Sequence, residues 1–337
     1  MPTMSSMKVV LGTMTIGRPG LEGARVHTLD DLSAMLDLFQ GHGHSEVDTS
    51  RVYTAGSSEE YLGNSHWQSR GLKMQTKVYP TAGKDLDSLT PEEYTHSPED
   101  VRRSLMSSLN ALKADKIDIF YLHAPDRNIP FEVTLREVNQ LYQEGRFARF
   151  GISNFMSWEV AEICEICSNH NWVKPSVYQG IYNALHRAIE PELIPCLRRY
   201  GISLYAFQPL AGGFLTDRYQ RDTKEFVEGS RFDPKRWQGR AQQGRYWNEA
   251  YFDALDIIRP VAKRHGLTES ECAFRWLSHH CGLKKELGDA ILVGASSLAQ
   301  LEANLVELEK GPLPEEVVQA LDDGWLQVRG GVFKYWH

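Results

Sequence analysis

Ile117-Asp118-Ile119-Phe120-Tyr121-Leu122-His123 is a short run dominated by branched and aromatic residues. It shows little polar alternation, the pattern of a strand buried on both faces. Stretches of helical period flank it. Upstream, Ser97-Pro98-Glu99-Asp100 reads as an N-cap with proline at the first helical position, and Val101, Leu105, Leu109 and Leu112 follow on one stripe. Downstream, Pro130–Glu144 reads as a second amphipathic helix that stops at Gly145. Helix, buried strand, helix is the repeat of a parallel sheet with helical crossovers.

The same unit recurs on both sides. Val9–Thr13, Ser45–Thr49 and Met74–Val78 precede the quoted run, and Ala148–Ser153, Val177–Tyr182, Ser203–Phe207 and Ala290–Val293 follow it. Thr28–Phe39, Ser157–Ser168 and Pro191–Tyr200 read as further helices, the last stopping at Gly201. Eight strand units favour closure into an α/β (β/α)8 TIM barrel over an open sheet. A barrel of this type takes roughly 250 residues, so the 337 present are expected to form one domain, 1–337, with room for additions. The largest is a long insertion between strands seven and eight, from Phe207 to Ala290. It contains a polar Arg/Gln/Gly-rich stretch, Arg218–Tyr246, and helix candidates at Asn248–His265 and Thr268–Cys281. A C-terminal tail, helical over Pro314–Leu326 and continuing through Arg329–His337, is expected over the active site.

Composition narrows the function classes. The net charge of −7 argues against a nucleic-acid partner. Five scattered cysteines argue against a disulfide framework and for a reducing compartment. Cys164 and Cys167 form a C-x-x-C pair inside a helical stretch, with no second pair to complete a zinc site. No stretch approaches the ~18 apolar residues of a membrane span, so a cytoplasmic protein without membrane association is expected. His42-Gly43-His44 resembles the H-x-H of metal-dependent hydrolases built on barrels. It precedes strand two, however, and so lies toward the face opposite Asp48. No metal is expected.

In this fold chemistry gathers at the C-terminal ends of the strands. Strand two ends in Asp48, with Tyr53 five residues on; strand three contains Lys77, and strand four ends in His123. Together they suit carbonyl reduction. Hydride addition builds negative charge on the carbonyl oxygen, which needs a proton. A free tyrosine, with a pKa near ~10, is a reluctant donor. An adjacent ammonium lowers that pKa, a carboxylate holds the ammonium charged, and an imidazole can orient the carbonyl.

The motifs around these residues resemble those of the aldo-keto reductases. Asp48–Tyr53 (DTSRVY) matches a D-x4-Y signature; Asp118–Asp126 (DIFYLHAPD), Gly151–Phe155 (GISNF) and Gly294–Asn304 (GASSLAQLEAN) follow in family order. Gly12-Thr13-Met14, Pro209–Thr216 (PLAGGFLT) and Gly244-Arg245-Tyr246-Trp247 resemble the aflatoxin-aldehyde and succinic-semialdehyde reductase branch. The resemblance implies an NADPH-dependent reductase converting aldehydes to alcohols, with Tyr53 as general acid tuned by Lys77 and Asp48, and with His123 orienting a small-molecule carbonyl substrate. It further implies that Ser153, Asn154 and Gln179 bind the nicotinamide carboxamide and that Phe207 stacks on its ring. Gln208, Pro209, Leu210, Gly212, Gly213, Leu215 and Arg218 would follow the pyrophosphate; Gly294, Ser296, Gln300 and Asn304 would hold the adenosine half. Arg218 or Arg231 would grip the 2′-phosphate. Met14, Tyr53, His123 and Arg245 would face the substrate, Arg245 pairing with a carboxylate such as that of a semialdehyde. The ending Tyr335-Trp336-His337 suggests that aromatic substrates are accepted. A homodimer is plausible for the branch. The alternative within the family is a cofactor-binding barrel that acts mainly as an interaction subunit.

Overall fold

The computed structural model describes residues 5–84, 90 and 92–337. Eight parallel strands close into a barrel in sequence order: β1 (Lys8–Gly12), β2 (Glu46–Asp48), β3 (Lys73–Val78), β4 (Ile117–Leu122), β5 (Phe147–Ser153), β6 (Pro175–Ile181), β7 (Ser203–Phe207) and β8 (Ala290–Gly294). All eight runs anticipated from the sequence are strands. Closure is made by β1 against β8, with Gly12 opposite Gly294.

Helices fill the crossovers: α1 (Leu29–Gly41), α2 (Ser57–Gly63), α3 (Pro98–Ala111), α4 (Phe131–Gln143), α5 (Ser157–Asn169) and α6 (Leu193–Tyr200). The long insertion carries α7 (Trp237–Tyr246), α8 (Glu249–Arg264) and α9 (Glu269–His279); α10 (Leu298–Leu308) and α11 (Glu315–Val328) follow the last strand. Helix starts are set by side-chain caps. Thr28, Ser97, Asn248 and Thr268 each accept an N–H from the first turn, which satisfies donors the helix itself leaves open. None of the described helices is long and apolar enough to cross a membrane.

Three helices have no counterpart in the sequence reading. α2 is only seven residues long. α7 lies in the stretch that reads as polar and irregular. Its Gly239 is seated against the Asp233 backbone, where an added Cβ would come 1.8 Å from Asp233 O. α10 carries Leu301, Leu305 and Leu308 on one buried face, within the segment whose residues suggest cofactor contacts.

The core has two layers. One fills the space between strands and helices. The other, Val10, Ile119, Tyr121, Val177, Tyr205, Ala290 and Leu292, fills the barrel interior. Below it, toward the N-terminal ends of the strands, polar groups satisfy one another. Glu46 accepts from Gln75 Nε2 at 2.8 Å and from the Tyr205 hydroxyl at 2.9 Å, and pairs with Lys8 at 3.2 Å. The interior is thus a packed plug, and binding is confined to the opposite rim. Gly151 makes room for the buried Tyr121 ring, because a Cβ there would sit 2.3 Å from Tyr121 Cδ1. Gly151→Ala is expected to destabilise the fold by about 1–3 kcal/mol through overpacking, read as a lower urea midpoint.

Cys164 and Cys167 are buried in α5, and burial pushes both thiols up to about 12, so neither is a reactive thiolate at neutral pH. His42 is engaged by Glu309, with Nδ1 to Oε1 at 2.6 Å.

Candidate active site

The strand order places Asp48 on β2, Lys77 on β3 and His123 directly after β4 at one rim. Lys77 is fully buried, and its Nζ donates to Asp48 Oδ2 at 2.7 Å, to Thr49 O at 2.8 Å and to the Tyr53 hydroxyl at 3.4 Å. The second oxygen of Asp48 accepts from Gln179 Nε2 at 2.8 Å. All three ammonium donors and both carboxylate oxygens are therefore matched, as a buried ion pair requires.

Tyr53 opens an unusual turn. The next three residues are left-handed: Thr54 at φ 49°, Ala55 at φ 52° and Gly56 at φ 82°. Each non-glycine in that region costs roughly 1–2 kcal/mol, so the turn needs external restraint. Thr54 Oγ1 donates to Ile16 O at 2.9 Å, Ser57 Oγ donates to Thr54 O at 2.8 Å, and Arg51 Nη1 donates to Gly56 O at 3.2 Å.

Burial pushes the Tyr53 phenol above its ordinary range; the Lys77 ammonium pulls the other way without overcoming it. This corrects the expectation of a phenol acidified outright. The phenol is protonated at neutral pH, and Lys77 makes it more acidic only in comparison with the same buried phenol lacking a cation. Burial opposes the charge on Lys77, but Asp48 and Tyr53 outweigh burial and hold the ammonium above its usual range. His123 falls well below the usual imidazole range, first through burial and then through the Lys77 charge, so it is neutral at pH 7. Its Nδ1 lies 3.2 Å from Ser50 Oγ.

Two mouth residues carry no sequence motif. The Tyr79 ring stands edge-on to His123, with centroids 5.3 Å apart. The His337 imidazole faces Tyr79 at 6.1 Å, and its main-chain N–H donates to Asn154 O at 3.1 Å. The tail thus reaches the active site, as expected. Tyr79 was detectable only by its place two residues beyond Lys77. His337 is brought in by the path of the tail.

The residues expected around a cofactor fall into groups. Ser153, the last residue of β5, stands in register with Gln179, two residues before the end of β6. Asn154, in a left-handed conformation at φ 63°, donates to His123 O at 2.8 Å. Phe207 closes β7, half-buried, with one face against both core layers. Gln208 accepts from the Tyr246 hydroxyl at 2.8 Å, Pro209 is buried and Leu210 half-buried. Gly213, at φ 102°, has no heavy atom within 4 Å of where a Cβ would stand, which leaves an open backbone surface. The Cβ of Gly212 would meet Gln242 Oε1 at 2.6 Å, and that oxygen is buried with no hydrogen-bond partner among the described residues. Leu215 has its side chain buried in the core and its N–H engaged by Leu210 O. Beyond Gly294, at the end of β8, Ser296 donates to Gln300 Oε1 at 2.7 Å and Asn304 Nδ2 to Gly294 O at 3.4 Å.

The two candidate 2′-phosphate arginines part company. Arg218 is exposed. Arg231 lies against Met14, with Nη2 3.5 Å from Sδ, and its charge acts on Tyr53. That is the tetrad end of the site. Arg245, at the end of α7, is half-buried above the Phe333 ring at 5.1 Å; its charge is felt by Tyr79 and His337. Neither Arg231 nor Arg245 has a carboxylate partner among the described residues.

A profile of the Aldo/keto reductase family matches residues 8–325. The chain is 55% identical over 332 residues to Aldo-keto reductase pigE of Monascus ruber, covering 98% of this chain and 97% of that protein. It is 40% identical over 331 residues to Aflatoxin B1 aldehyde reductase member 2 of Mus musculus, covering 95% of this chain and 84% of that protein. A buried acid–lysine pair facing the half-buried Tyr53 at the mouth of a closed eight-stranded barrel, together with these likenesses along nearly the whole chain, places the protein among the oxidoreductases of the aldo/keto reductase family.

Proposed function

We propose that the protein is an NADPH-dependent reductase that converts aldehydes to alcohols, with Tyr53 as proton donor. The observation that carries this reading is the Lys77 ammonium, fixed by Asp48 at 2.7 Å and facing the Tyr53 hydroxyl at 3.4 Å. The residues present fit a dinucleotide: the half-buried Phe207 ring offers a stacking face, the open Gly213 backbone a cradle, and the Gln242 oxygen beside Gly212, without a partner among the described residues, a polar contact. When bound, NADPH supplies the hydride.

The chain's own residues do the rest. Ser153, Asn154 and Gln179 hold the nicotinamide carboxamide. Tyr53 passes its phenolic proton to the substrate oxygen as the carbonyl carbon becomes tetrahedral. Lys77 then stabilises the phenolate left behind, and Asp48 keeps Lys77 oriented. In the tautomer that carries its proton on Nε2, His123 presents Nε2–H to the same oxygen and fixes the carbonyl plane. Arg231, beside Tyr53, is placed for the pyrophosphate or a substrate anion, which leaves Arg218 for the 2′-phosphate. Burial holds His337 near 4, so at neutral pH it adds a polar edge and no charge.

NADPH oxidation across a panel of aliphatic, aromatic and semialdehyde substrates tests this reading. Turnover of several aldehydes is expected; no turnover of any would contradict it. Arg245 gives a sharper forecast. As a half-buried guanidinium without a carboxylate partner, it suits a charge-assisted bond to a substrate acid group, worth about 1.5–3 kcal/mol. Arg245→Ala is expected to raise KM for succinic semialdehyde at least tenfold and to change KM for an uncharged aromatic aldehyde little. Equal changes in both KM values would remove Arg245 from the pocket.

A further inference from the structure

Arg51 stands between the two ends of the D-x4-Y segment and has no part in the chemistry just described. Its guanidinium is nearly buried, 14% exposed, between two carboxylates. Nη1 lies 3.5 Å from Glu59 Oε2 and donates to Gly56 O at 3.2 Å; Nη2 donates to Glu92 Oε1 at 3.3 Å. Glu59 is fully buried, and its other oxygen accepts from Thr76 Oγ1 at 2.5 Å. Thr76 directly precedes Lys77 in β3.

These contacts form a closed circuit. From Arg51 one branch reaches Gly56, the last residue of the left-handed turn that begins after Tyr53. Another runs through Glu59 to Thr76, the neighbour of Lys77. The backbone completes both. The third branch, to Glu92, ties the circuit to the segment that follows β3. A planar guanidinium with its donors in a fixed fork can hold three acceptors at set angles; a single ammonium cannot. The fit is close: a Cβ on Gly56 would sit 2.4 Å from Arg51 Nη1.

We propose that Arg51 is a positioning residue: by pinning the Thr54–Gly56 turn to Glu59 and Glu92 it sets the approach of the Tyr53 hydroxyl to the Lys77 ammonium. The inference rests on the role given to Tyr53 above. It requires that the turn lose its alignment without the fork, because Thr54 and Ala55 are held in a conformation that L residues avoid. The groups facing the phenol are Lys77, Asp48, Arg231 and His123. Of these, Lys77 is the one whose distance the Arg51 circuit controls.

The test compares Arg51→Met, Arg51→Lys and Glu92→Gln with the full-length enzyme. It measures kcat, KM for an aldehyde, Kd for NADPH by fluorescence, and the pH at which kcat for reduction falls on the basic side. Arg51→Met is expected to lower kcat about tenfold, to change KM and the NADPH Kd less than threefold, and to move the basic limb to higher pH as the phenol loses its cation. Arg51→Lys is expected to recover part of kcat. Glu92→Gln, which removes only the outer, more exposed arm, is expected to lower kcat two- to fivefold with KM unchanged; it decides the matter if Arg51→Met does not fold. A folded Arg51→Met with wild-type kcat and pH limb would overturn the proposal, as would a kcat loss matched by an equal rise in NADPH Kd. Tyr53→Phe run alongside separates the two readings: if that variant keeps turnover, the proton-donor assignment itself has failed. If it is inactive while Arg51→Met is normal, only the positioning role has.

Discussion

Tyr53→Phe is expected to lower kcat for aldehyde reduction by about 10²–10⁴-fold, the range that a well-placed general acid contributes. The substitution removes one hydroxyl from a side chain held by its ring, which stands edge-on to His123 at 5.9 Å, and by the turn behind it. NADPH affinity is therefore expected to stay within about threefold of wild type, since the loss falls on a group engaged at the substrate oxygen. Steady-state kinetics and a fluorescence titration on the same preparation check both parts. A variant with wild-type turnover removes Tyr53 as the acid.

Lys77→Met is the second large effect. Loss of the ammonium leaves a phenol that burial has already pushed upward with only the weaker pull of Arg231 against it, and it removes the charge that would face the phenolate. A fall in kcat of about 10²–10³-fold is expected, comparable to deleting a preorganised donor at a developing anion. The sign of the pH effect follows. Reduction needs the protonated phenol, so kcat falls as pH rises through the phenol pKa. That pKa goes up without Lys77, and the basic limb moves to higher pH. His123 stays neutral, held well below the usual imidazole range by burial, so it adds no inflection near neutral pH. The fold also suffers, because Asp48 is 2% exposed. Orphaning a buried charge costs about 3–5 kcal/mol. Pairing the substitution with Asp48→Asn separates the two losses: stability should return while kcat stays low.

Strands such as β1, β4 and β8 were legible because they are buried on both faces, so their apolar runs are nearly unbroken, whereas β2 and β3 carry Glu46, Asp48, Gln75, Thr76 and Lys77. Helices with a side-chain cap, such as those after Thr28, Ser97, Asn248 and Thr268, announce their own starts. What escaped depends on long-range contacts. α7 packs through Gly239 against a backbone several residues away and shows little apolar period. Tyr79 and His337 become mouth residues only when the barrel brings residue 79 and residue 337 together. Arg231 reads, with Arg218, as a candidate for the 2′-phosphate, and only the fold shows that it lies beside Met14 and Tyr53. The pKa of Tyr53 was the least legible feature: the motif names its charged neighbour, but the extent of burial that outweighs that neighbour is a property of the closed mouth.

The most direct measurement is single-turnover reduction of an aldehyde by the wild-type enzyme, comparing NADPH with NADPH deuterated at nicotinamide C4, each in H2O and in D2O. If the Tyr53 proton moves as hydride arrives, both substitutions slow the same step, the solvent effect persists with the deuterated cofactor, and deuterium from the cofactor appears on the alcohol carbon. A solvent effect of unity, or one that vanishes when the cofactor is deuterated, would contradict proton donation in the hydride-transfer step.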